Sequence, residues 1–325
     1  MLKVNKVSKN EVLDVTEYAG NLSLRSNIDE ISDEVNFEMI SGEIDLYKCI
    51  FNVGDIITLN YDNKEIFRGM VREWSKNNRS KFTIKANDFG WYLNKSENAY
   101  QFKGTVSDNI KKICNEFGVP IGNIVNIPTK YNKITRGNLK SIIKEMLELA
   151  GKEQGKEYYI EMRKGKFYVD IKNSVTVHYS TDNIYSTKID ITELYESPSR
   201  TVTLDGMYNA VKAVQQAENT FKVLAYAEDK TSISKFGKIQ KLEALSKEDI
   251  NKASSIVKNQ LKKLNKMQEK TNVKLLGNIE CKAGKVLEFD EKVFGIQGKY
   301  SITNCTHNFT SKGYTMDVGL ELISR

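Results

Sequence analysis

Long apolar runs and export signals are missing from this chain of 325 residues. No stretch approaches the roughly 18 consecutive apolar residues that a membrane-spanning helix requires. The N-terminal sequence Met1-Leu2-Lys3-Val4-Asn5-Lys6 also lacks the apolar core of a secretory signal peptide. We therefore expect a protein that is made in a cytoplasm and does not insert into a membrane.

Histidine and paired cysteines are scarce. The chain has two histidines, and its four cysteines, Cys49, Cys114, Cys281 and Cys305, form no Cys-x-x-Cys pair. Structural metal sites draw on such pairs or on clustered histidines. We expect the cysteines to be reduced and mostly buried, and we expect no metal and no cofactor.

Arginine is scarce as well, since 41 of the 49 basic residues are lysine and 8 are arginine. The net charge of +7 is uneven, because residues 1–100 carry a net charge of −3 and residues 201–325 carry +6. Base readout and phosphate clamping depend largely on the bidentate fork of arginine. Sequence-specific nucleic-acid binding is therefore not expected.

Known catalytic motifs are also missing. His178 and His307 lie far apart, with no Gly-x-Ser-x-Gly elbow and no His-Glu-x-x-His helix beside them. Segment 151–157 is similar to a phosphate loop, but its glycines stand one residue too close and it ends a predicted helix. The acids available for glycoside hydrolysis occupy positions typical of solvent-facing residues: Glu43 with Asp45, Glu116, and Glu288 with Asp290 and Glu291. The sequence therefore predicts no catalytic residues.

A β-sheet pattern occurs twice, once near each end of the chain. The first copy has strand-like segments at 53–59, 67–74 and 80–86, and the second has them at 283–289, 296–302 and 311–318. Gly54 and Gly69 are 15 residues apart, while Gly284 and Gly298 are 14 apart. A chance meander with glycine turns would give a similar pattern, but we interpret the pattern as a duplicated domain.

The chain is longer than a typical single core of about 100–200 residues, and its patterns predict three regions. Residues 1–95 are predicted to be all-β, with a further strand at 42–46. Residues 96–185 form an α/β insert: one helix follows Thr105 and stops at Gly118 and Pro120, and a second runs from Asn138 to Gly151. A hairpin of 158–162 and 167–171 completes this insert.

Residues 186–325 are predicted to return to strands, among them 188–192, 209–214 and 223–227, together with one long amphipathic helix at about 246–270. Ser246 would cap this helix, and Ile250, Ala253, Val257, Leu261 and Leu264 form its apolar stripe. The opposite face carries Lys252, Lys258, Lys262, Lys263 and Lys266. This face is either plain solvated surface or a docking surface for an acidic neighbouring subunit. The candidate packing and interface residues are Ile250, Val257, Leu261, Leu264, Lys258 and Lys262.

The order of β-domain, α/β insert and β-domain resembles the baseplate hub proteins of contractile phage tails and tail-derived bacteriocins, especially the late control D-like hubs of PBSX-type prophages. Three parts of the sequence carry the resemblance: residues 105–120 with 138–151, residues 232–241 ahead of the lysine-rich helix, and residues 298–302 through His307-Asn308-Phe309 to 319–322. The resemblance covers nearly the whole chain, and its motifs are loose patterns of turns, aromatic residues and strands.

The resemblance implies a mixed, mainly β fold with two related tail-tube-like antiparallel β-barrel or sandwich domains, a small inserted α/β domain and one long amphipathic helix in the C-terminal domain. It implies a homotrimer that forms a pseudo-sixfold ring between a hexameric tail tube and a trimeric central spike. The implied partners are the tail tube or tube-initiator protein and the spike, with tape measure and baseplate wedge proteins as further candidates. The implied location is the baseplate of a virion or tail-like particle assembled in the bacterial host cytoplasm.

Two other interpretations remain open from the sequence. The chain would be a peptidoglycan-degrading tail protein if a carboxylate pair proved catalytic. It would be a peptidoglycan-binding tail protein if Tyr158, Tyr159, Phe167 and Tyr168 presented an aromatic face to the cell wall.

Overall fold

Strands dominate the computed structural model, which describes residues 1–8, 11–40, 49–181, 184–185, 189, 194–217, 220–245 and 247–325. The strands are β1 (Leu2–Val7), β2 (Val12–Asp14), β3 (Ala19–Asn27), β4 (Glu34–Ile40), β5 (Ile56–Tyr61), β6 (Lys64–Lys76), β7 (Lys81–Asp88), β8 (Glu97–Gln101), β9 (Ile121–Ile124), β10 (Ile134–Asn138), β11 (Tyr158–Arg163), β12 (Lys166–Ile171), β13 (Ser180–Thr181), β14 (Ile184–Tyr185), β15 (Leu194–Thr203), β16 (Ala210–Ala217), β17 (Thr220–Glu228), β18 (Gln240–Ala244), β19 (Gln268–Leu276), β20 (Val286–Glu291), β21 (Ile296–Thr310) and β22 (Gly313–Ser324). The α-helices are α1 (Gly90–Lys95), α2 (Val106–Glu116), α3 (Leu139–Gln154), α4 (Lys230–Phe236) and α5 (Ala253–Leu264). The predicted mainly β fold is confirmed.

Strands β3 to β7 form a five-stranded antiparallel unit that we call the first repeat. Its strand order is β3-β4-β7-β6-β5, and β1 and β2 extend the sheet beyond β5. These segments form strands because apolar residues alternate with polar ones. In β7, for example, Phe82, Ile84 and Ala86 are buried, and they share a hydrophobic core with Val35 and Phe37 of β4.

Strands β15 and β19 to β22 form a second unit with its own core, which we call the second repeat. Its strand order is β15-β19-β22-β21-β20. Val273 and Leu275 of β19 pack there with Ile302 of β21 and Val318 of β22. Strand for strand, this order matches that of the first repeat.

The turns that lead into β5 and β20 have the same backbone geometry. Gly54 and Gly284 have φ values of 96° and 91°, a region that favours glycine. The amide of Gly54 donates to the carbonyl of Val71 at 2.8 Å, and the amide of Val71 donates back to the residue after the glycine at 2.8 Å. Gly284 makes the same reciprocal pair with Ile302, at 2.9 and 2.8 Å. The two turns are therefore equivalent.

Two of the irregularities in strand pairing also fall at matching positions in the two repeats. The register of β6 against β7 shifts at residues 71–73, and that of β21 against β22 shifts at 302–304. A second shift lies at 20–23 in β3, opposite β4, and its counterpart lies at 196–199 in β15, opposite β19. Bulges are specific local features of a strand pair. Two matched bulges and one matched turn make the duplication a property of the fold.

The register corrects one detail of the sequence alignment. With Val71 matched to Ile302, Gly69 corresponds to Tyr300, and Gly298 corresponds to Phe67. The match of Gly69 with Gly298 is therefore wrong by two positions. A shift of two residues leaves every side chain on the same face of the strand, so the alternating pattern gives no warning of it.

The insert between the repeats has the predicted caps, helices and hairpin. The side chain of Thr105 accepts from the amide of Asp108 at the start of α2, and that of Asn138 accepts from the amide of Ser141 at the start of α3. β11 and β12 form the predicted hairpin, to which β9 adds in parallel. The predicted end of α3 at Gly151 is wrong, because the helix continues to Gln154 and ends at Gly155, whose φ of 66° suits a left-handed C-cap.

A second α/β element lies between β15 and β19. The order of its small sheet is β17-β16-β18, with β18 parallel to β16, and α5 packs on the sheet through Ala253 and Val257. The predicted helix end near residue 270 is wrong. Helix α5 ends at Leu264, and β19 starts at Gln268 because residues 268–276 alternate buried and exposed positions, two of the buried ones being the polar Glu269 and Thr271.

Some predictions fall on residues that the structure does not describe. These are the strand at 42–46, most of the strand at 188–192, and the cap at Ser246. A 3-10 helix spans Lys247–Lys252 ahead of α5.

Candidate assembly interface

Direct strand pairing joins the two repeats within the chain. Residues 304–309 of β21 pair antiparallel with residues 22–27 of β3, with Asn304 opposite Asn27 and Phe309 opposite Leu22. We call this pairing the internal junction. Just beyond it, the amide of Ile28 donates to the carbonyl of Thr303 at 2.8 Å. The sheet therefore runs from the second repeat into the first without a break.

A buried lysine ties the internal junction to the insert. The ammonium of Lys282 lies 2.9 Å from a carboxylate oxygen of Asp33 and 3.4 Å from one of Glu161. It also donates to the carbonyl of Met162 at 3.2 Å, while Arg163 binds Glu161 at 2.8 Å. The Lys282 side chain is 12% exposed. One cation thus connects the first repeat, the second repeat and the insert hairpin.

The charges of this cluster perturb one another. Burial alone lowers the pKa of Lys282, but the carboxylates of Asp33 and Glu161 outweigh it and hold that pKa above the ordinary lysine value. Burial raises the pKa of Asp88, and repulsion from Asp33 adds to the rise. Asp88 accepts hydrogen bonds from the amides of Asp33, at 2.7 Å, and Gly90, at 3.0 Å. Removing the cation would leave several buried acids without compensation.

His307 lies in β21 at the internal junction and has a structural role. Its Nε2 is 2.9 Å from the carbonyl oxygen of Cys281, so Nε2 carries the proton and donates. The hydroxyl of Tyr314 donates to Nδ1 at 2.8 Å. Burial lowers the pKa of His307 to about 4, so the ring is neutral at pH 7. Next to it, Tyr61 of the first repeat meets Phe309 and Tyr314, with ring centroids 5.7 and 5.2 Å away.

Each repeat also has one strand edge without a described strand partner, although the matching edge of the other repeat is paired at the internal junction. Within the described part of the chain, β6 pairs with β5 only as far as Met70, and beyond that point it pairs with β7 alone. Strand β15 ends the sheet order, and its described pairing is with β19 alone. Trp74 on β6 is 41% exposed, and Val202 on β15 is 48% exposed. Open strand edges of this kind are sites where another chain can pair.

Among the candidate interface residues of the amphipathic helix, some pack against the protein and others are exposed to solvent. Val257 is buried against the small sheet, and Leu261 packs on the same cluster half-buried; Ile250 and Leu264 are half-buried. Lys258 and Lys262 are exposed, with no ion pair to any described residue.

Two other lysines of the same face bind the insert. Lys252 pairs with Glu153 at 2.8 Å, and Lys263 pairs with Glu157. The lysine face is therefore used partly within the chain, and Lys258 and Lys262 remain its candidates for an external partner.

The acids and histidines considered for catalysis do not come together among the described residues. Glu116 accepts from the hydroxyl of Tyr100 at 2.8 Å, and Glu291 is buried and accepts from two backbone amides at 2.7 and 2.6 Å. His178 is exposed, and Glu43 and Asp45 lie outside the described residues. In the described ranges, no three His, Cys, Asp or Glu side chains form a metal-binding group. No described helix is both long and apolar enough to cross a membrane.

The four aromatic residues of the insert hairpin do not share an exposed face. Tyr159 and Phe167 are buried. Tyr158 is half-buried and donates to Gln154 at 2.9 Å, while Tyr168 lies under the guanidinium of Arg163, 4.6 Å from its ring centroid. These contacts use the aromatic rings within the insert, which weighs against a wall-binding platform.

Sequence reasoning missed the buried ionic cluster. It predicted strands at 209–214 and 223–227 and an amphipathic helix, but it did not separate them from the second repeat as an α/β element of their own. Lys282 stands in the segment Cys281-Lys282-Ala283-Gly284, which has the composition of an exposed turn. Its partners lie 249 and 121 residues away in the chain, so no local pattern links them. The unpaired strand edges were equally hidden, because they follow from strand order and not from composition.

Comparisons with known structures give the same fold. The chain aligns with the 43 kDa tail protein of prophage MuSo2 from Shewanella oneidensis at a TM-score of 0.66 and 12% identity, covering 98% of this chain and 97% of that one. A prophage tail protein from Listeria monocytogenes aligns at 0.63 and 12% identity, covering 100% and 95%. An Escherichia coli type VI secretion component, described as structurally similar to bacteriophage T4 tail proteins gp27 and gp5, aligns at 0.53 and 9% identity, covering 94% and 74%.

These identities are low, so the alignments establish a fold shared with phage tail proteins and a type VI secretion component. Comparison with curated protein sequences gives no match. A family model described as YQBQ-like matches residues 22–321, which span both repeats and everything between them. The chain belongs to the YQBQ-like family.

Proposed function

We propose that this protein is the structural hub of the baseplate of a phage or phage-tail-like particle. In this proposal, residues 1–95 and 186–325 act as two related tube-like units, with the insert at 96–185. Three chains supply six such units and form a pseudo-sixfold ring that joins a hexameric tail tube to a trimeric spike. The particle would be assembled in the bacterial host cytoplasm.

One observation carries the proposal: the two repeats share strand order, turn and bulges, and they are already joined edge to edge. A duplicated unit lets a threefold assembly present six similar surfaces to one neighbour and three to another. Such a role depends on interface area and shape, and no reaction is assigned to the chain. The fold shared with prophage tail proteins adds independent support.

The proposed partners follow from this position in the particle. The tail tube or a tube-initiator protein would contact the sixfold face, and the central spike would contact the threefold face. Tape measure and baseplate wedge proteins are further proposed partners. Lys258 and Lys262 of α5 are the residues we propose for contact with an acidic neighbour.

Copy number tests the proposal. Purified particles that contain the chain should hold three copies per baseplate, as measured by quantitative mass spectrometry against a spike subunit and by cryo-electron microscopy. One or six copies would contradict the hub proposal. Clearing of purified cell walls by the isolated chain would favour the peptidoglycan-degrading alternative instead.

A further inference from the structure

The internal junction provides a template for the contact between two copies of this chain. In the second repeat, β20 pairs with β21 up to Ser301, and β3 then takes the same side of β21 from Asn304 onward. In the first repeat, β5 pairs with β6 up to Met70, and the same side of β6 then has no strand partner among the described residues. Among the described residues, the position that β3 fills on the second repeat is therefore open on the first.

The strand that would fill this position is also present and open. Strand β3 of the first repeat corresponds to β15 of the second, because both lie outside β4 or β19 and both carry the matched bulge. The junction side of β3 pairs with β21, whereas the same side of β15 has no described strand partner. In the described part of the chain, this strand pair is therefore formed once, between β3 and β21, and the two strands of a second such pair, β15 and β6, are both present without being paired to each other.

We infer that β6 of one copy pairs antiparallel with β15 of a second copy, and that the register repeats that of the internal junction. This inference rests on the proposed ring and assigns the strand edges that close it. When the bulges of the two repeats are matched, Cys305 corresponds to Trp74 and Ser26 corresponds to Val202. The junction pair of Cys305 with Ser26 therefore predicts a pair of Trp74 with Val202 between copies. The neighbouring pair of Thr306 with Arg25 becomes Ser75 with Thr201.

The side chains fit this assignment. Trp74 and Val202 are large, apolar and close to half exposed in the single chain, whereas their counterparts Cys305 and Ser26 are buried at the filled junction. Cross-strand pairs of an aromatic and a β-branched residue stabilise antiparallel sheets. One step along, the assignment brings Arg200 opposite Lys76, a pair of like charge; the Arg200 guanidinium binds Glu269 at 2.9 Å, a carboxylate that Arg325 also binds at 2.8 Å.

Chain geometry makes the contact between copies head-to-tail. The β6 edge belongs to the first repeat and the β15 edge to the second, so each copy offers one of each and the contact is head-to-tail. Head-to-tail contacts close into a ring when the rotation between copies permits it. With three copies, three internal junctions and three contacts between copies would alternate around one continuous sheet.

Disulfide trapping tests the register directly. Residues opposite each other on antiparallel strands have Cβ atoms about 4.5–5.5 Å apart, close to disulfide geometry. The double variant W74C/V202C of the purified 325-residue chain is oxidised mildly at high protein concentration and analysed on non-reducing gels. The single variants W74C and V202C control for the native cysteines. The variant W74C/L204C controls for the register, because Leu204 is exposed and lies two residues beyond Val202, immediately after the end of β15.

The expected result is a linked dimer and a closed linked trimer from W74C/V202C, with several-fold less product from W74C/L204C and none from the single variants. Equal linking by the register control would overturn the assigned pairing, as would no linking in a sample whose mass shows a trimer. In the second case the proposed ring would stand. Linked chains that grow past three copies would support the strand pair and overturn the ring. A chain that stays monomeric and unlinked would overturn both.

Discussion

Replacing Lys282 with methionine should destabilise the protein far more than its position in a turn-like segment indicates. The ammonium lies 2.9 Å from Asp33 and 3.4 Å from Glu161. With an effective dielectric constant of about 20, these separations correspond to attractions of about 5 kcal/mol each before desolvation. Removing one partner of a buried ion pair typically costs about 3–5 kcal/mol, because the remaining charges stay buried. We expect the Lys282→Met variant to lose stability in that range at pH 7.

Chemical unfolding followed by circular dichroism and tryptophan fluorescence measures the loss. The matched control is Lys64→Met, because Lys64 pairs with Glu280 at 3.9 Å and both side chains are largely exposed. Exposed pairs contribute about 0–1 kcal/mol, so this variant should remain close to the wild type.

The pH dependence separates charge from packing. Without Lys282, the charge that opposes the rise caused by burial in the pKa of Asp33 is lost, and the pKa of Glu161 also rises. The folded variant then binds more protons than the unfolded chain as the pH falls below neutral, so it gains stability relative to the wild type. The deficit should shrink between pH 7 and pH 5. A loss similar to that of Lys64→Met, or a deficit that does not change with pH, would refute the assigned role of Lys282.

His307, the two glycine turns and the exposed lysines of α5 can each be tested by substitution. Burial lowers the pKa of His307 from 6.5 to about 4, so the unfolded chain binds more protons than the folded chain between these pH values. The free energy of unfolding should therefore fall by about 3 kcal/mol from pH 6.5 to pH 4. A His307→Gln variant measured in parallel should lack this part of the pH dependence. Gly54→Ala should lower the free energy of unfolding by about 1–2 kcal/mol because of the positive φ of Gly54. Gly284→Ala should lower it more, because the new Cβ would lie 2.3 Å from a tyrosine ring, whereas a Cβ at Gly54 meets nothing within 4 Å. Equal losses in urea unfolding would contradict this difference. The double variant K258E/K262E should have a free energy of unfolding within about 0.5 kcal/mol of that of the wild type. It should nevertheless enter particles less efficiently, as measured by immunoblotting of purified particles. Unchanged incorporation would show that these lysines are not part of the proposed partner surface.

Local signals in the sequence predicted the parts of the fold that local physics determines. Thr105 and Asn138 cap α2 and α3 as predicted, because a side-chain oxygen at that position satisfies an amide of the first helical turn. The hairpin of β11 and β12 follows from two apolar segments around a Lys164-Gly165 turn, where both residues have positive φ. The duplicated glycine turns at Gly54 and Gly284 were equally visible.

Features that depend on distant partners could not be predicted from local patterns. Residues 266–270 continue the lysine-rich composition of α5, but Glu269 is buried because Arg200, Tyr300 and Arg325 bind it, and those contacts place it in a strand. Gly155 ends α3 in place of Gly151, a choice between two glycines that the sequence leaves open.

The candidate interface was predictable only in outline. The duplication indicated a ring of similar units, but the open edges at Trp74 and Val202 follow from strand order and bulge positions. The α5 residues were predictable as an amphipathic stripe. Their division between the insert and solvent depends on how α5 lies against α3, through contacts such as that of Lys252 with Glu153.

We propose that three copies of this chain form a ring of six similar units. Cryo-electron microscopy of the intact particle, without imposed sixfold symmetry, tests it most directly. We predict three copies around the axis, with first and second repeats alternating over six equivalent positions and β6 of each copy beside β15 of the next. One or six copies, or three copies whose repeats do not alternate around the axis, would rule out the proposed ring.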